Sequence, residues 1–217
     1  PNQGGKRLPG FSGEWEEKTL GDILDVVTDY TANGSFASLK ENVRYYSDVD
    51  FAVLVRTTDL DKNKFEPERF TDKKGYDFLK KTNLYGGEII MANVGSIGKV
   101  FRVPEYDMPM TLAPNTYLLK FKQTVDEDYM YTWMKTREFY NKLMSKVGST
   151  TLLAVNKDNL RDIEIWMPIN AKEQKAIAQV LSDMDEEIKA LEEKKEKYQN
   201  IKEGMMQELL TGKIRLV

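Results

Sequence analysis

Apolar residues recur at alternating intervals of four and three along the last quarter of the chain. Ile177, Met184, Leu191, Tyr198 and Met205 form one line with a seven-residue repeat; Leu181, Ile188 and Leu209 form a second line beside it. This pattern predicts a helix whose seam wants a partner helix. No Pro interrupts the run from Ala171 to Leu210, and its one Gly, Gly204, costs about 1 kcal/mol relative to Ala. About forty helical residues extend about 60 Å, too far for one modest domain to bury the whole seam. Lys195 and Lys202 fall on the second line, where they loosen the seam and bias its register or its choice of partner. At the entry, Asn170 and Glu173 have the spacing of a capping box, each side chain reaching the other's backbone amide. Pro168 stands just outside, where it leaves the helical ladder intact.

Upstream the periodicities are short and mixed. Trp15 and Leu20 can anchor an N-terminal arm, and Leu20 to Val27 reads as a short helix or strand. Asp29 to Asn42, rich in Thr, Asn, Gly and Ser, reads as a loop with a turn at Asn33-Gly34. Phe51 to Val55 is a continuous apolar run, as in a buried strand, and Arg56 to Asp59 emerge from its end. Lys62 to Lys81 reads as a charged surface excursion with a short helix near Tyr76 to Lys80. Gly87 to Val103 predicts a β-hairpin with a Gly-rich turn at Gly95 to Gly98. Met110 to Phe121 is strand-like, broken by Pro114-Asn115. Asp126 to Met144 carries Tyr129, Trp133, Tyr140 and Leu143 at helical spacing, with Phe139 beside them, and predicts one amphipathic helix. Asn156 to Leu160 suggests a helical turn, and Ile163 to Pro168 alternates like a half-buried strand. The expected architecture is a mixed α/β globular domain over residues 1–168, then a long C-terminal coiled-coil-forming α-helix over 169–217.

Composition narrows the chemistry. The 217 residues contain no Cys and no His, which excludes disulfides, thiolate or histidine metal sites and histidine-based catalysis. Net charge is −3, and the balance is even along the chain: 9 basic against 10 acidic residues from Ala171 onward, 23 against 25 before it. A DNA-binding surface therefore has to be a local patch offset by acids elsewhere. No run of eighteen apolar residues occurs and nothing reads as a secretion signal, so a cytoplasmic location is expected.

Gly95-Ser96-Ile97-Gly98-Lys99 invites comparison with a phosphate loop, but the Walker pattern needs Gly at Asn93 and Ser or Thr at Val100. A tight hairpin explains these glycines, and its amides, Ser96 and Lys99 are placed to touch a DNA backbone or groove. Arg56, Thr57 and Thr58 are either turn formers or base readers, since Arg pairs bidentately with guanine. Arg44-Tyr45-Tyr46 suits phosphate contact and stacking, or a surface hydrophobic cluster; Ser149, Thr150 and Thr151 are equally ambiguous. Glu-x-Lys matches such as Glu16 to Lys18 lack an upstream Asp on a matching strand, and no Asn-Pro-Pro-Tyr-like tetrapeptide of an amino-methyltransferase is present.

Taken in order, these segments resemble the specificity subunits of type I restriction-modification systems. The resemblance rests on Leu8-Pro9-Gly10-Phe11 with Trp15 and Leu20-Gly21-Asp22-Ile23, on Gly87-Glu88-Ile89-Ile90 through Lys99, and on Ile165 to Pro168 with Glu173-Gln174, Ile177, Leu181, Asp185 and Ile188. It closes with Leu209-Leu210-Thr211-Gly212-Lys213-Ile214-Arg215. It implies a non-catalytic reader of double-stranded DNA without a cofactor of its own. The expected partners are a methyltransferase subunit that binds S-adenosylmethionine and a separate restriction or motor subunit. Family members carry two recognition domains and two long helices, whereas this sequence has one of each, as a half-length subunit or a shortened piece would. Two copies are then expected to pair through Ile177, Leu181, Met184, Ile188, Leu191, Tyr198, Met205 and Leu209. The loops expected on DNA are Asn33, Gly34 and Ser35; Arg44, Tyr45 and Tyr46; Arg56, Thr57 and Thr58; Ser96 and Lys99; and Ser149, Thr150 and Thr151. A rival reading is a coiled-coil assembly protein whose globular part binds protein.

Overall fold

The computed structural model describes residues 7–62, 64–147 and 154–212. The chain divides into two compact units, the first running to Lys175 and the second from Ala176. In the first, β1 (Trp15–Thr19) leads into α1 (Leu20–Ile23) and β2 (Leu24–Asp29), so the stretch read as helix or strand is both. A true capping box starts α1: Thr19 accepts the Asp22 amide and Asp22 accepts the Thr19 amide.

The segment read as a loop after Asp29 is largely helical. A 3₁₀ turn (Tyr30–Asn33) is capped by the Asp29 carboxylate, and α2 (Phe36–Asn42) is capped by the Ser35 hydroxyl. Its polar residues are helix caps, which composition alone does not separate from turn formers. Then come β3 (Ala52–Val55), α3 (Thr57–Leu60), β4 (Phe70–Thr71), α4 (Lys73–Phe78), a 3₁₀ turn (Lys80–Thr82) and β5 (Asn83–Leu84). The charged excursion thus contributes a strand and a helix. The predicted hairpin is β6 (Ile89–Ala92) and β7 (Val100–Arg102), paired antiparallel; β8 (Met110–Leu112) and β9 (Thr116–Phe121) flank the Pro114-Asn115 break.

The predicted helix at 126–144 is two helices, α5 (Glu127–Met134) and α6 (Arg137–Lys146). Lys135 is the C-cap of the first, and Thr136 caps the second by accepting the Phe139 amide. The break buries Met130, Met134, Phe139 and Leu143 and leaves Tyr140 exposed, displacing it from the apolar face expected of it. Finally α7 (Lys157–Arg161) and β10 (Glu164–Pro168) lead to α8 (Ala171–Leu210).

One four-stranded sheet has the order β2-β9-β6-β7, another β4-β3-β8-β5, and β1 pairs with β10. The two larger sheets share a core of Val53, Val55, Leu84, Ile90, Met110, Leu112 and Leu118, with Phe70 and Val103. Each such buried aliphatic side chain contributes about 1.5–3 kcal/mol relative to exposure.

The entry to α8 differs from the predicted capping box. The Asn170 side chain accepts the Lys172 amide at 2.9 Å, and Glu173 turns away into the domain. There its buried carboxylate accepts Arg7 Nε at 2.9 Å and Trp15 Nε1 at 3.3 Å. Gln174, equally buried, donates to the Pro168 carbonyl and accepts the Asp126 amide, both at 2.8 Å. Tertiary bonds to a charged and an indole donor outweigh a local cap. Within the second unit, Met184, Ile188, Leu191, Tyr198 and Met205 are each more than half exposed and Leu181 is 40% exposed. Among the described residues no helix is long and apolar enough to cross a membrane.

Candidate nucleic-acid interface

Strand directions gather most of the predicted loops at one rim. β2 and β6 both run antiparallel to β9, with Asp29 opposite Tyr117 and Ala92 opposite Thr116, so their C-terminal ends meet the start of β9. β3 and β8 are parallel and end together, the Ala113 amide bonding the Val55 carbonyl. Asp29 to Asn33, Arg56 to Thr58, Asn93 to Lys99 and Pro114-Asn115 therefore emerge on the same side. The bridge between Val94 and Ala154 brings the start of the hairpin loop beside the chain that follows residue 153. Ser149, Thr150 and Thr151 lie outside the described residues.

Several predicted contact residues are engaged in holding the fold. The Asn33 amide donates to Tyr30 O at 3.1 Å and Thr82 Oγ1 at 2.9 Å, while its oxygen accepts the Lys81 amide. Gly34 lies so close to Phe78 and Ser38 that a Cβ would meet Ser38 Oγ at 2.6 Å. Ser35 is spent as the α2 cap. Tyr46 bridges Phe70 through its backbone and donates its hydroxyl to Asp72. Arg56 forks onto buried Asp59, Nε to Oδ2 at 3.0 Å, and its other end reaches Glu68 at 2.8 Å. These carboxylates, Asp59 first, push the Arg56 pKa further up and occupy the donors that a guanine would need. Thr57 and Thr58 form the first turn of α3, with Thr58 exposed.

Other predicted residues are presented to solvent. Arg44 is exposed and makes no hydrogen bond or ion pair among the described residues. Tyr45 is half exposed and donates to the Tyr30 hydroxyl at 2.7 Å; burial pushes the Tyr30 pKa up. Ser96 and Lys99 are exposed on the hairpin, and Lys99 pairs with Asp61 at 2.6 Å. The loop turns at Gly95 and Gly98, both at φ 78°, and at Gly98 a Cβ would collide with Leu143.

Tyr30, Tyr45, Asn93 and Asn115 also line an open groove of about 490 Å³ together with Phe36 and Leu39. Phe36 is 82% exposed, an aromatic edge offered to a partner. Phe36, Asn93 and Asn115 were not singled out by the sequence reading. The available signal was Pro114-Asn115, since Asn is the ordinary non-Gly occupant of the φ of 65° found there.

The family model described as "Type I restriction modification DNA specificity domain" matches residues 12–201, through both the rim and most of α8. The chain belongs to this family. Its curated relatives include the MjaVIII specificity subunit of a type I restriction enzyme from Methanocaldococcus jannaschii, 25% identical over 94% of this chain and 47% of the relative. Among solved structures, the S subunit of a type I restriction-modification system from M. genitalium aligns with a TM-score of 0.56 at 17% identity, over 93% of this chain and 47% of that one. A chain from a structure of type I R-M complex assembly and conformational transition aligns with a TM-score of 0.60 at 14% identity, over 96% and 47%. These structural likenesses show a shared fold, a mixed α/β domain followed by a long helix. The chain spans about half the length of the curated relatives it matches.

Proposed function

We propose that this specificity-domain chain is a non-catalytic DNA reader of a type I restriction-modification system, recognising half of a bipartite target. The observation that carries this reading is the family match running unbroken from the domain bearing the rim into α8. Bases are read at the rim, from the groove beside Tyr45 across to the hairpin of Ser96 and Lys99. The chain holds no cofactor; S-adenosylmethionine belongs to the methyltransferase subunit that it positions, and cleavage belongs to a restriction subunit, all in the cytoplasm. In this reading the other half-site falls to a second copy paired through the seam of α8. The exposed line from Leu181 to Met205 supports that pairing.

Solution mass, alone and with a modification subunit, tests the assembly. The expected species is a dimer recruiting two modification subunits and preferring a palindromic split duplex over unrelated sequence. An assembly without sequence preference defeats the reader; a monomer that recruits one subunit defeats the pairing.

A further inference from the structure

A second groove, of about 470 Å³, lies on the β7 side of the rim between the hairpin and the junction of α5 with α6. One wall is Ile97, Gly98 and Lys99; the other is Lys135, Thr136 and Arg137, with Tyr140 beside them. Its lining carries three cations, Lys99, Lys135 and Arg137, and one carboxylate, Asp61, already paired with Lys99. The lining is thus positive in a chain of net charge −3.

Two of these cations lie at the junction of two helices. Lys135 is the C-cap of α5, where a cation suits the helix dipole, and Arg137 occupies the first turn of α6, where a cation opposes it. Both are exposed, with Lys135 over the Tyr131 ring at 5.4 Å. An anion in the groove would offset the charge opposed at Arg137.

We infer that this groove holds the DNA backbone beside the bases faced by the rim, with Lys135 and Arg137 on phosphate oxygens. The inference rests on the DNA-reading function proposed above and adds a surface that the predicted contact loops did not include, apart from Lys99. The hairpin supplies the link: Asn93 stands at the rim groove while Gly98 and Lys99 form the wall of this one. A duplex read at one end of the loop carries its backbone past the other. Contacts of this kind fix orientation without reading sequence.

The test uses the chain assembled with its modification subunit, comparing Lys135→Ala/Arg137→Ala with wild type on target and unrelated duplexes between 50 and 200 mM salt. Each lost phosphate contact flattens the slope of log affinity against log salt by about 0.9. The double variant is expected to flatten the slope by about 1–2 and to lose affinity about equally on both duplexes. Arg137→Lys is expected to retain the wild-type slope, and thermal stability of the double variant to stay near wild type, the α6 dipole gaining what the α5 dipole loses. Wild-type slope and affinity in the double variant overturn the groove while leaving the DNA reader standing. Loss of the modification subunit at unchanged slope overturns it too, assigning the groove to protein. Absence of DNA binding by the wild-type assembly overturns the reader itself, and the groove with it.

Discussion

Arg56 illustrates how a side chain suited to recognition can be consumed by its own fold. Its guanidinium lies against Asp59, which is wholly buried, so the pair is an internal ion pair with one wall open to solvent. Arg56→Ala leaves a buried carboxylate without its counter-charge and is expected to cost about 3 kcal/mol, seen as a lower urea midpoint at unchanged slope. Arg56→Lys recovers only part, because an ammonium cannot span both carboxylate oxygens. A variant that keeps its midpoint but loses preference at one base pair would restore Arg56 to the readers. The neighbouring Glu68 gives a pH signature: Lys62, then Arg56, hold its carboxyl down at about 2 against an ordinary 4.5. Its stabilising contribution is present above 4.5 and is lost as pH falls toward 2. Glu68→Gln should therefore show a shallower loss of stability across that acid window. None of this was legible in the sequence, where Arg56 ends an apolar strand as a reader would. The deciding partners are Asp59 within a helical turn and Glu68 across a loop, just as Asn33 is decided by Thr82.

At the scale of elements, apolar runs were the dependable signal and polar runs were not. Val53 to Val55, the Gly87 to Val103 hairpin and the strand before Pro168 follow directly from burial patterns. Polar residues at 29–42 serve equally well as turn formers and helix caps, and only the surrounding core decides. The same holds at the root of α8, where local spacing offered Glu173 a capping box and the fold gave it Arg7 and Trp15. Glu173→Ala strands those two donors around a buried site and is expected to destabilise the globular domain by about 2–3 kcal/mol. Asn170→Ala removes only the bond to the Lys172 amide and should cost about 1 kcal/mol. Equal thermal shifts in the two variants would show that Glu173 does no more than end a helix.

For the whole molecule, α8 presents a seam that extends beyond the predicted positions. Ile201, Met206 and Leu210 are exposed beside Tyr198 and Met205, widening the apolar face toward its far end. The widening was hidden in the sequence because these residues fall off the seven-residue lines, though all are plainly apolar. Midway, Lys195 and Lys202 interrupt the second line. In a parallel, in-register pair each lysine would meet its own copy, adding like charge to an otherwise apolar layer, so the pattern favours an offset or antiparallel pair. Two substitutions separate seam from charge. Ile188→Glu with Leu191→Glu places carboxylates in the apolar half and should convert the proposed dimer to monomer at tens of micromolar, without shifting the unfolding of the globular domain. Lys195→Leu with Lys202→Leu should instead tighten association and slow subunit exchange, read by sedimentation and by mixing differently labelled copies. If the glutamates leave the mass unchanged, the copies do not meet through this seam. The second half-site must then be read by sequence continuing on the same chain or by a different subunit.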